Sequence, residues 1–159
     1  TLPLESLQTM MDAKLRQLEP IEYTAAELAW AETIRESFGD DAPDQAQSRE
    51  VEDYAVLTGY GSTDVGDVSR AVPTVSVRAA TWGPGTAAHS WQAVAASGHS
   101  YGTKGTQHAA KAMMLAAVEL YTNPQLREEA KAEFIAARGE DYVYESLLGD
   151  RAPPLDYRR

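Results

Sequence analysis

Apolar residues recur at helical spacing near the start of the chain. In residues 3–18 one stripe carries Leu4, Leu7, Met11, Leu15 and Leu18. Residues three or four positions apart share one face of an α-helix, so this stripe predicts an amphipathic helix. A second helix is predicted from Thr24, because TAAE places Glu27 three residues after the cap residue and Gly39 is a typical helix end.

Two further helices are predicted in the second half of the chain. Residues 106–121 carry an apolar stripe formed by Ala109, Ala110, Met113, Ala117 and Leu120. Asn123 and Pro124 are typical of a helix cap and a first turn, and Gly139 ends the helix that they begin.

One segment alternates apolar and polar residues instead. In TVSVRAATW, residues 74–82, Val75, Val77 and Ala79 alternate with Thr74, Ser76 and Arg78. A period of two is typical of a half-buried β-strand, and DYAVLTG, residues 53–59, offers at most one more. A lone strand leaves its backbone groups unpaired. We therefore predict an α/β fold, a helix-rich segment with a mixed sheet whose other strands lie outside this chain.

The remaining stretches have no clear period. Residues 39–53 are polar and acidic and predict a solvated surface loop. Residues 83–105 are rich in glycine at both ends, with a helical pattern in the middle. The tail from residue 142 contains prolines and predicts an irregular strap packed on the rest.

Composition narrows the class of protein. A chain of 159 residues with 43% hydrophobic residues fits one domain with a core. The formal net charge of −10 disfavours a nucleic-acid partner, since no basic patch offsets it. Cysteine is absent, which excludes disulfides and thiolate chemistry. No apolar run is long enough for a membrane span, so we expect a soluble, cytoplasmic protein.

His89 is the first candidate for a functional side chain. It follows the predicted strand in WGPGTAAHSW, where glycines let the backbone bend. Ligands bind at strand ends in open α/β sheets, although a loop histidine bonded to a neighbour explains the same pattern. His99, in a glycine-rich stretch, and His108, on a helix, are weaker candidates.

GSTDVGD, residues 61–67, is the second candidate. Ser62 or Thr63 suits a helix cap with Asp64 in the first turn, and a plain helix start accounts for this pattern by itself. The sequence is not the GxSxG elbow of a serine hydrolase. Lys104 in GTKG also lacks the frame of a phosphate-binding loop.

The order of these motifs carries a resemblance to a known family. GSTDVGDVSRAVPTVSVRAATWGPGTAAHSW, followed by GHSYGTKGTQHAAKAM and NPQLREEAKAEF, resembles the C-terminal part of the dizinc metallopeptidase and amidohydrolase family that includes aminoacylase-1 and carboxypeptidase G2. The similarity runs from Tyr54 to Phe134 and is strongest to the p-aminobenzoyl-glutamate hydrolase branch of that family. Thr103 departs from the pattern, since close relatives carry histidine there.

The resemblance implies a place in a two-lobed enzyme. Residues 1–38 would be helices after the lid domain, residues 53–121 the motif-bearing core, and residues 122–159 the closing helix and tail of the catalytic domain. His89 matches the family's last metal ligand, and Asp64 matches an aspartate behind the metal centre. The complete enzyme would hold two divalent ions, zinc or manganese, and at most one ligand would come from this chain.

The expected function follows from the same resemblance. The chain would be part of a metal-dependent amidohydrolase that cleaves N-acyl or aroyl amino-acid amides, such as aminobenzoyl-glutamate, through a metal-activated water. Its partners would be a small amide or peptide substrate, the missing N-terminal half or a companion chain, and a second copy in a homodimer, with neither nucleic acid nor membrane. The alternative is a catalytically incomplete remnant or binding module.

Overall fold

Helices make up all the regular structure that is described. The computed structural model of the chain describes residues 1–39, 43–56, 61, 63–146 and 148–156. The helices are α1 (Glu5–Arg16), α2 (Ala25–Glu36), α3 (Val65–Ala71), α4 (Trp91–Ser97), α5 (Ser100–Thr122) and α6 (Pro124–Arg138), and a 3-10 helix spans Gln45–Arg49. No helix of the described ranges is both long and apolar enough to cross a membrane.

The predicted α/β fold with a mixed sheet is wrong, because the described residues contain no β-strand. Residues 73–80 run without turn or bend, and their exposure alternates as the sequence predicts. Val75 and Val77 pack against the core, whereas Ser76 and Arg78 are exposed. A strand also needs a paired backbone, and no backbone hydrogen bond joins residues 75–80 to another described residue.

The second predicted strand, residues 53–59, is not formed where it is described. Residues 53–56 are exposed, without turn or bend, and without backbone partners in the described ranges. The rest of that prediction, residues 57–59, lies outside the described residues. The alternating pattern therefore identified a half-buried extended segment. Alternation reports which side chains are buried, but it does not indicate whether a second strand pairs with the backbone.

The core lies where α1, α5 and α6 meet. Its buried side chains are Leu4, Leu7, Met10, Met11, Ala112, Ala116, Ala130 and Phe134. The predicted stripe of the first helix is confirmed, with Leu7 and Met11 buried and Leu15 and Leu18 packed at the margin. Removal of this apolar surface from water is the main stabilising term of the fold.

Glu133 joins the start of α1 to α6. Leu4, the residue before α1, provides no side-chain cap. Instead, the Glu133 carboxylate on α6 accepts hydrogen bonds from the backbone N–H groups of Glu5 and Ser6 and from the Ser6 hydroxyl. These bonds satisfy N–H groups that a helix start leaves unpaired.

The caps predicted for α2 and α6 are confirmed. Thr24 and Glu27 form the complete capping box, with Glu27 N–H donating to Thr24 Oγ1 at 3.2 Å. Asn123 Oδ1 accepts from Leu126 N–H at 3.1 Å, and Pro124 occupies the first turn of α6. Gly139 follows the last residue of α6 with φ of 92°.

The apolar stripe predicted for α5 is confirmed at Leu120, which packs against the core, and is wrong at Met113. The helix begins at Ser100, six residues before the predicted start, and Ala112 and Ala116 face the core. Met113, from the predicted stripe, is 53% exposed. Ala112 and Ala116 face the core because small residues permit a close approach to α1.

Two glycines of α5 bring residues 80 and 81 against the helix. A Cβ on Gly105 would lie 1.9 Å from the carbonyl oxygen of Ala80. A Cβ on Gly102 would lie 2.6 Å from the oxygen of Thr81 and 2.3 Å from that of Ala96. We call this pair the glycine notch. Only residues without a side chain fit such contacts.

Two segments differ from their predictions, the surface loop of residues 39–53 and the strap from residue 142 onward. Within residues 39–53, Gln45 and Ser48 form hydrogen bonds with the buried Tyr101 hydroxyl, so this stretch is more than a solvated loop. In the tail, Tyr142 is half-buried, but residues 143–146 and 148–156 are exposed. The prediction of a packed strap is therefore wrong for most of the tail.

Candidate functional site

His89 lies in the turn that leads into α4. Gly83 is buried at the start of this turn, where its carbonyl oxygen accepts hydrogen bonds from Thr86. Ser90 ends the turn and caps α4, with its Oγ accepting from Ala93 N–H at 3.2 Å. His89 itself is exposed and has φ of 62°. It is the only non-glycine residue of the described ranges in the left-handed region.

This backbone conformation sets His89 apart from an ordinary loop residue. For a residue with a Cβ, the left-handed region costs roughly 1–2 kcal/mol. Strained residues of this kind concentrate at functional sites, where the surrounding structure holds them in place. The imidazole is directed outward from a fixed turn, and no hydrogen bond from its ring to another described residue is present.

Asp64 lies immediately before α3. Its carbonyl oxygen accepts from Asp67 N–H at 3.0 Å, but its side chain makes no capping bond. Thr63 Oγ1 accepts from Val65 N–H at 3.2 Å, but Asp64 occupies the cap position of α3, so the predicted cap at Thr63 with Asp64 in the first turn is wrong by one residue. Ser62, the other predicted cap residue, lies outside the described residues. The Asp64 carboxylate is exposed and is not used in the helix start.

The structure does not join Asp64 to His89. Neither a hydrogen bond nor an ion pair connects their described side chains. Across the described residues, no group of three or more histidine, aspartate or glutamate side chains is arranged to hold a metal ion. The described residues therefore do not contain a complete ligand set for two metal ions.

His99 has a structural role. Its Nδ1 accepts from Tyr101 N–H at 3.1 Å and so caps α5. Its ring stacks on Trp30 of α2, with ring centres 4.0 Å apart. These contacts explain why the helix begins at residue 100 rather than at residue 106. Thr103, the departure from the family pattern, is exposed, and its hydroxyl donates to the His99 carbonyl.

A buried carboxylate links α2 to α5. Glu27 is 6% exposed and accepts hydrogen bonds from Lys104 Nζ at 2.6 Å, Ser100 Oγ at 2.7 Å and Thr24 N–H at 2.7 Å. The bond from Lys104, followed by those from Ser100 and Thr24, lowers the pKa of the Glu27 carboxyl to about 2. Lys104, in the GTKG motif, thus serves as a structural counter-ion, which the sequence did not indicate.

Aromatic packing completes this contact between helices. Tyr23, just before α2, stacks on the fully buried Tyr101 with ring centres 4.3 Å apart. Burial, with a smaller contribution from Tyr101, raises the pKa of the Tyr23 hydroxyl. The buried ion pair and the stacked rings join α2 to α5, so we interpret the cluster as a structural element.

A groove lies beside α1. It has a volume of about 630 Å³, and its floor is formed by Met11, Leu15 and Leu18. One wall is residues 48–55, the other is residues 76–80, and His108 lines it from α5. We call it the α1 groove. Its volume lies in the range of ligand sites, roughly 300–1,000 Å³.

Charged residues fix one wall of the α1 groove. The Arg16 guanidinium donates to Asp12 Oδ2 at 2.9 Å, to Asp53 Oδ1 at 3.0 Å and to the carbonyl oxygen of Glu52 at 3.3 Å. These bonds tie residues 52 and 53 to α1. Burial, with a smaller contribution from Lys111, lowers the pKa of the His108 imidazole, so this ring is neutral at pH 7.

The groove and the sequence-predicted residues are separate. Neither His89 nor Asp64 lines the α1 groove. The sequence did not indicate the groove, because residues 48–55 and 76–80, which line it, have no helical pattern. Searches against models of protein families, curated proteins and solved structures found no match for this chain.

Proposed function

We propose that this chain is part of a metal-dependent amidohydrolase, to which it contributes His89 as one metal ligand. The single observation that supports this role is the left-handed backbone of His89, which holds an exposed imidazole at a fixed turn. The class of reaction, hydrolysis of N-acyl or aroyl amino-acid amides, comes from the motif resemblance. A cytoplasmic location belongs to the same proposal.

The remaining ligands would come from another polypeptide or from further chain. A divalent ion such as zinc or manganese takes histidine nitrogen and carboxylate oxygen, and a bound ion polarises the amide carbonyl. The Asp64 carboxylate makes no capping bond, and it would orient a metal ligand of the site only once the complete assembly brings the two into contact. The chain alone would be inactive, and the partners of the complete enzyme would include the substrate and a second copy in a homodimer.

The test is metal content in the complete assembly. Zinc and manganese are measured by mass spectrometry in the wild-type assembly and in His89→Ala, together with hydrolysis of an aminobenzoyl-glutamate substrate. We expect His89→Ala to lose metal and activity. His108→Ala, a histidine outside the turn, is the matched control and should keep the metal. Unchanged metal stoichiometry and activity in His89→Ala would exclude His89 as a ligand.

The alternative is a binding module without catalysis. The α1 groove favours it, because this concave site has the volume of a ligand site and contains neither predicted site residue. An assembly that binds neither zinc nor manganese and hydrolyses no amide would support this alternative.

A further inference from the structure

The face of α5 that is turned away from the core is exposed and uncharged. Its residues recur at alternating spacings of four and three positions: Thr103, Gln107, Ala110, Met114, Ala117 and Tyr121. All six are exposed, and the exposed fraction reaches 68% at Met114 and 86% at Tyr121. We call these six residues the α5 seam. The seam lies on the side of the helix opposite Ala112 and Ala116, which are buried in the core.

The spacing of the α5 seam is that of a coiled coil. Residues that recur every 3.5 positions on average keep one stripe of a helix directed at a partner helix. Beside the seam, Met113 is 53% exposed and Val118 is 60% exposed, so the apolar surface is wider than the stripe alone. Exposed apolar residues that form a continuous patch indicate an interaction site, whereas scattered ones do not. The face therefore has the pattern of a surface that packs against another helix.

Short and long side chains alternate along the α5 seam, and this alternation bears on the identity of the partner. In a parallel pair of identical helices, each layer would contain two copies of the same residue. Alanine would then face alanine and leave a gap, while tyrosine would face tyrosine. In an antiparallel pair related by a two-fold axis, each layer combines two different residues. Layers that combine a large residue with a small one pack evenly, so the antiparallel pair fits this sequence.

One antiparallel register combines a short side chain with a long one in every layer. Its layers are Ala110 with Met114 of the second copy, Ala117 with Gln107, and Thr103 with Tyr121. The layers without a polar side chain lie at the centre, next to the two-fold axis, and the layers with one lie outside them. An apolar centre with a polar rim is the usual arrangement of a protein interface. The seam is thus complementary to itself.

Charge does not oppose the pairing within the seam. The formal charge of the chain is −10, but none of the six seam residues is charged. Lys111 is exposed at the border of the seam, and in this register its two copies come to the same edge near the axis. Repulsion between like charges therefore acts around the seam rather than in it. Because salt screens such repulsion, it should strengthen the pairing.

From these observations we propose that the α5 seam pairs two copies of this chain through antiparallel α5 helices. Residues 103–121 rise about 1.5 Å each, which gives a contact roughly 27 Å long. Such a contact lies at the lower end of interface sizes, so we expect a reversible dimer with a Kd of about 100 µM. At about 1 µM the chain is then monomeric. Neither His89 nor Asp64 belongs to the seam, so failure of the metal proposal leaves this one intact.

The first test is sedimentation of the unaltered chain at concentrations from about 1 to 500 µM. We expect a monomer at the lower end and a dimer at the upper end, with a Kd that falls at least threefold between low and high salt. Ala110→Lys and Met114→Glu should each weaken the dimer tenfold or more, because each brings an unpaired charge into a central layer. Ala132→Lys on the exposed face of α6 is the matched control and should leave the Kd unchanged.

The second test isolates the antiparallel register. In a mixture of the Ala110→Lys and Met114→Glu chains, this register places the new ammonium opposite the new carboxylate in one central layer and leaves the other unaltered. We expect native mass spectrometry, which separates the chains by mass, to show at least tenfold more heterodimer than either homodimer. Ala110→Lys mixed with Thr103→Glu is the control, because these positions lie in different layers, and it should show no such excess.

Three results would overturn the proposal. One is a chain that stays monomeric at about 500 µM, and another is a dimer that persists in both single variants. The third is a mixture that forms no heterodimer although far-UV circular dichroism shows that both variants keep their helices. If the chain is monomeric and Met114 resists oxidation by peroxide only in the complete assembly, the seam is covered by another polypeptide instead of a second copy.

Discussion

At the scale of single residues, His89 combines an exposed ring with a strained backbone. Its φ of 62° lies in a region that glycine adopts without steric cost. We predict that His89→Gly raises the free energy of unfolding by up to about 1 kcal/mol, because the strain released exceeds the added flexibility of the unfolded chain. Urea unfolding of the two proteins measures this difference.

His89→Ala is the matched control for this prediction. Alanine keeps the Cβ and therefore the strain, so its stability should stay within about 0.5 kcal/mol of the wild type. A glycine variant that is no more stable than the alanine variant would show that the turn does not strain residue 89. Strain retained at an exposed side chain is consistent with a conformation kept for function.

Glu27 makes stability depend on pH in a definite direction. Its pKa is about 2 in the folded chain, below the ordinary value of 4.5. The stabilisation is therefore fully present above pH 4.5 and is lost as the pH falls from 4.5 towards 2. We predict that Glu27→Gln is less stable than wild type at pH 7 and that the difference narrows across this window.

Chemical unfolding at several pH values tests the role of Glu27. Glu128→Gln removes an exposed carboxylate on α6 and is the control. Its difference from wild type should stay small across the window. A gap between Glu27→Gln and wild type that is constant from pH 7 to pH 2 would contradict the assignment of the titration to Glu27.

At the scale of secondary-structure elements, the glycine notch predicts an asymmetric response to alanine. Gly105→Ala would place a Cβ 1.9 Å from the Ala80 oxygen, so α5 and the extended segment must separate. We expect a loss of about 3 kcal/mol or more in the free energy of unfolding. Gly66→Ala in α3 meets nothing within 4 Å and should stabilise by up to about 1 kcal/mol.

Thermal and urea unfolding compare the two glycine variants. Both substitutions add one methyl group to a helix, so the intrinsic gain in helix propensity is similar. Their difference reports the close approach at residues 80 and 81. Equal effects in the two variants would mean that the helix and the segment are not in contact.

The sequence predicts elements well where the information is local. Each of two helix caps is formed by residues at most three positions apart, Thr24 with Glu27 in α2 and Asn123 with Pro124 in α6. The pattern alone therefore located the start of both helices. Other determinants are distant. Glu133 caps α1 from α6, a separation of 128 residues from Glu5, and no window of sequence contains both.

The candidate site was predictable only in part, because its geometry also depends on residues that are distant in the sequence. The turn that holds His89 was evident from its glycines, but its left-handed backbone was not. The buried face of α5 was assigned one position away from the alanines that close packing selects, Ala112 and Ala116. The α1 groove depends on residues from four separate stretches, and none of them is distinctive by itself.

At the scale of the whole molecule, stability depends on a small core. Phe134 is the largest side chain in the cluster shared by α1, α5 and α6 and is 5% exposed. We predict that Phe134→Ala costs about 3–5 kcal/mol, a large part of the roughly 5–15 kcal/mol that stabilises a typical domain. The free energy of unfolding, measured with urea, checks this value.

An exposed methionine supplies the control for the core. Met114 on α5 is 68% exposed, so Met114→Ala should change stability by less than about 0.5 kcal/mol. Comparable losses in the two variants would show that the outer face of α5 is covered in solution.

The glycine notch also fixes the position of residues 73–80 along α5. If residues 73–80 slid by one position, Val75 and Val77 would turn to solvent and the Arg78 guanidinium would enter the core. No hydrogen-bonded neighbour prevents such a slide in the described chain, so the two hollows at Gly102 and Gly105 set the alignment. An insertion or deletion between residues 73 and 80 should therefore be far more harmful than one in the exposed tail.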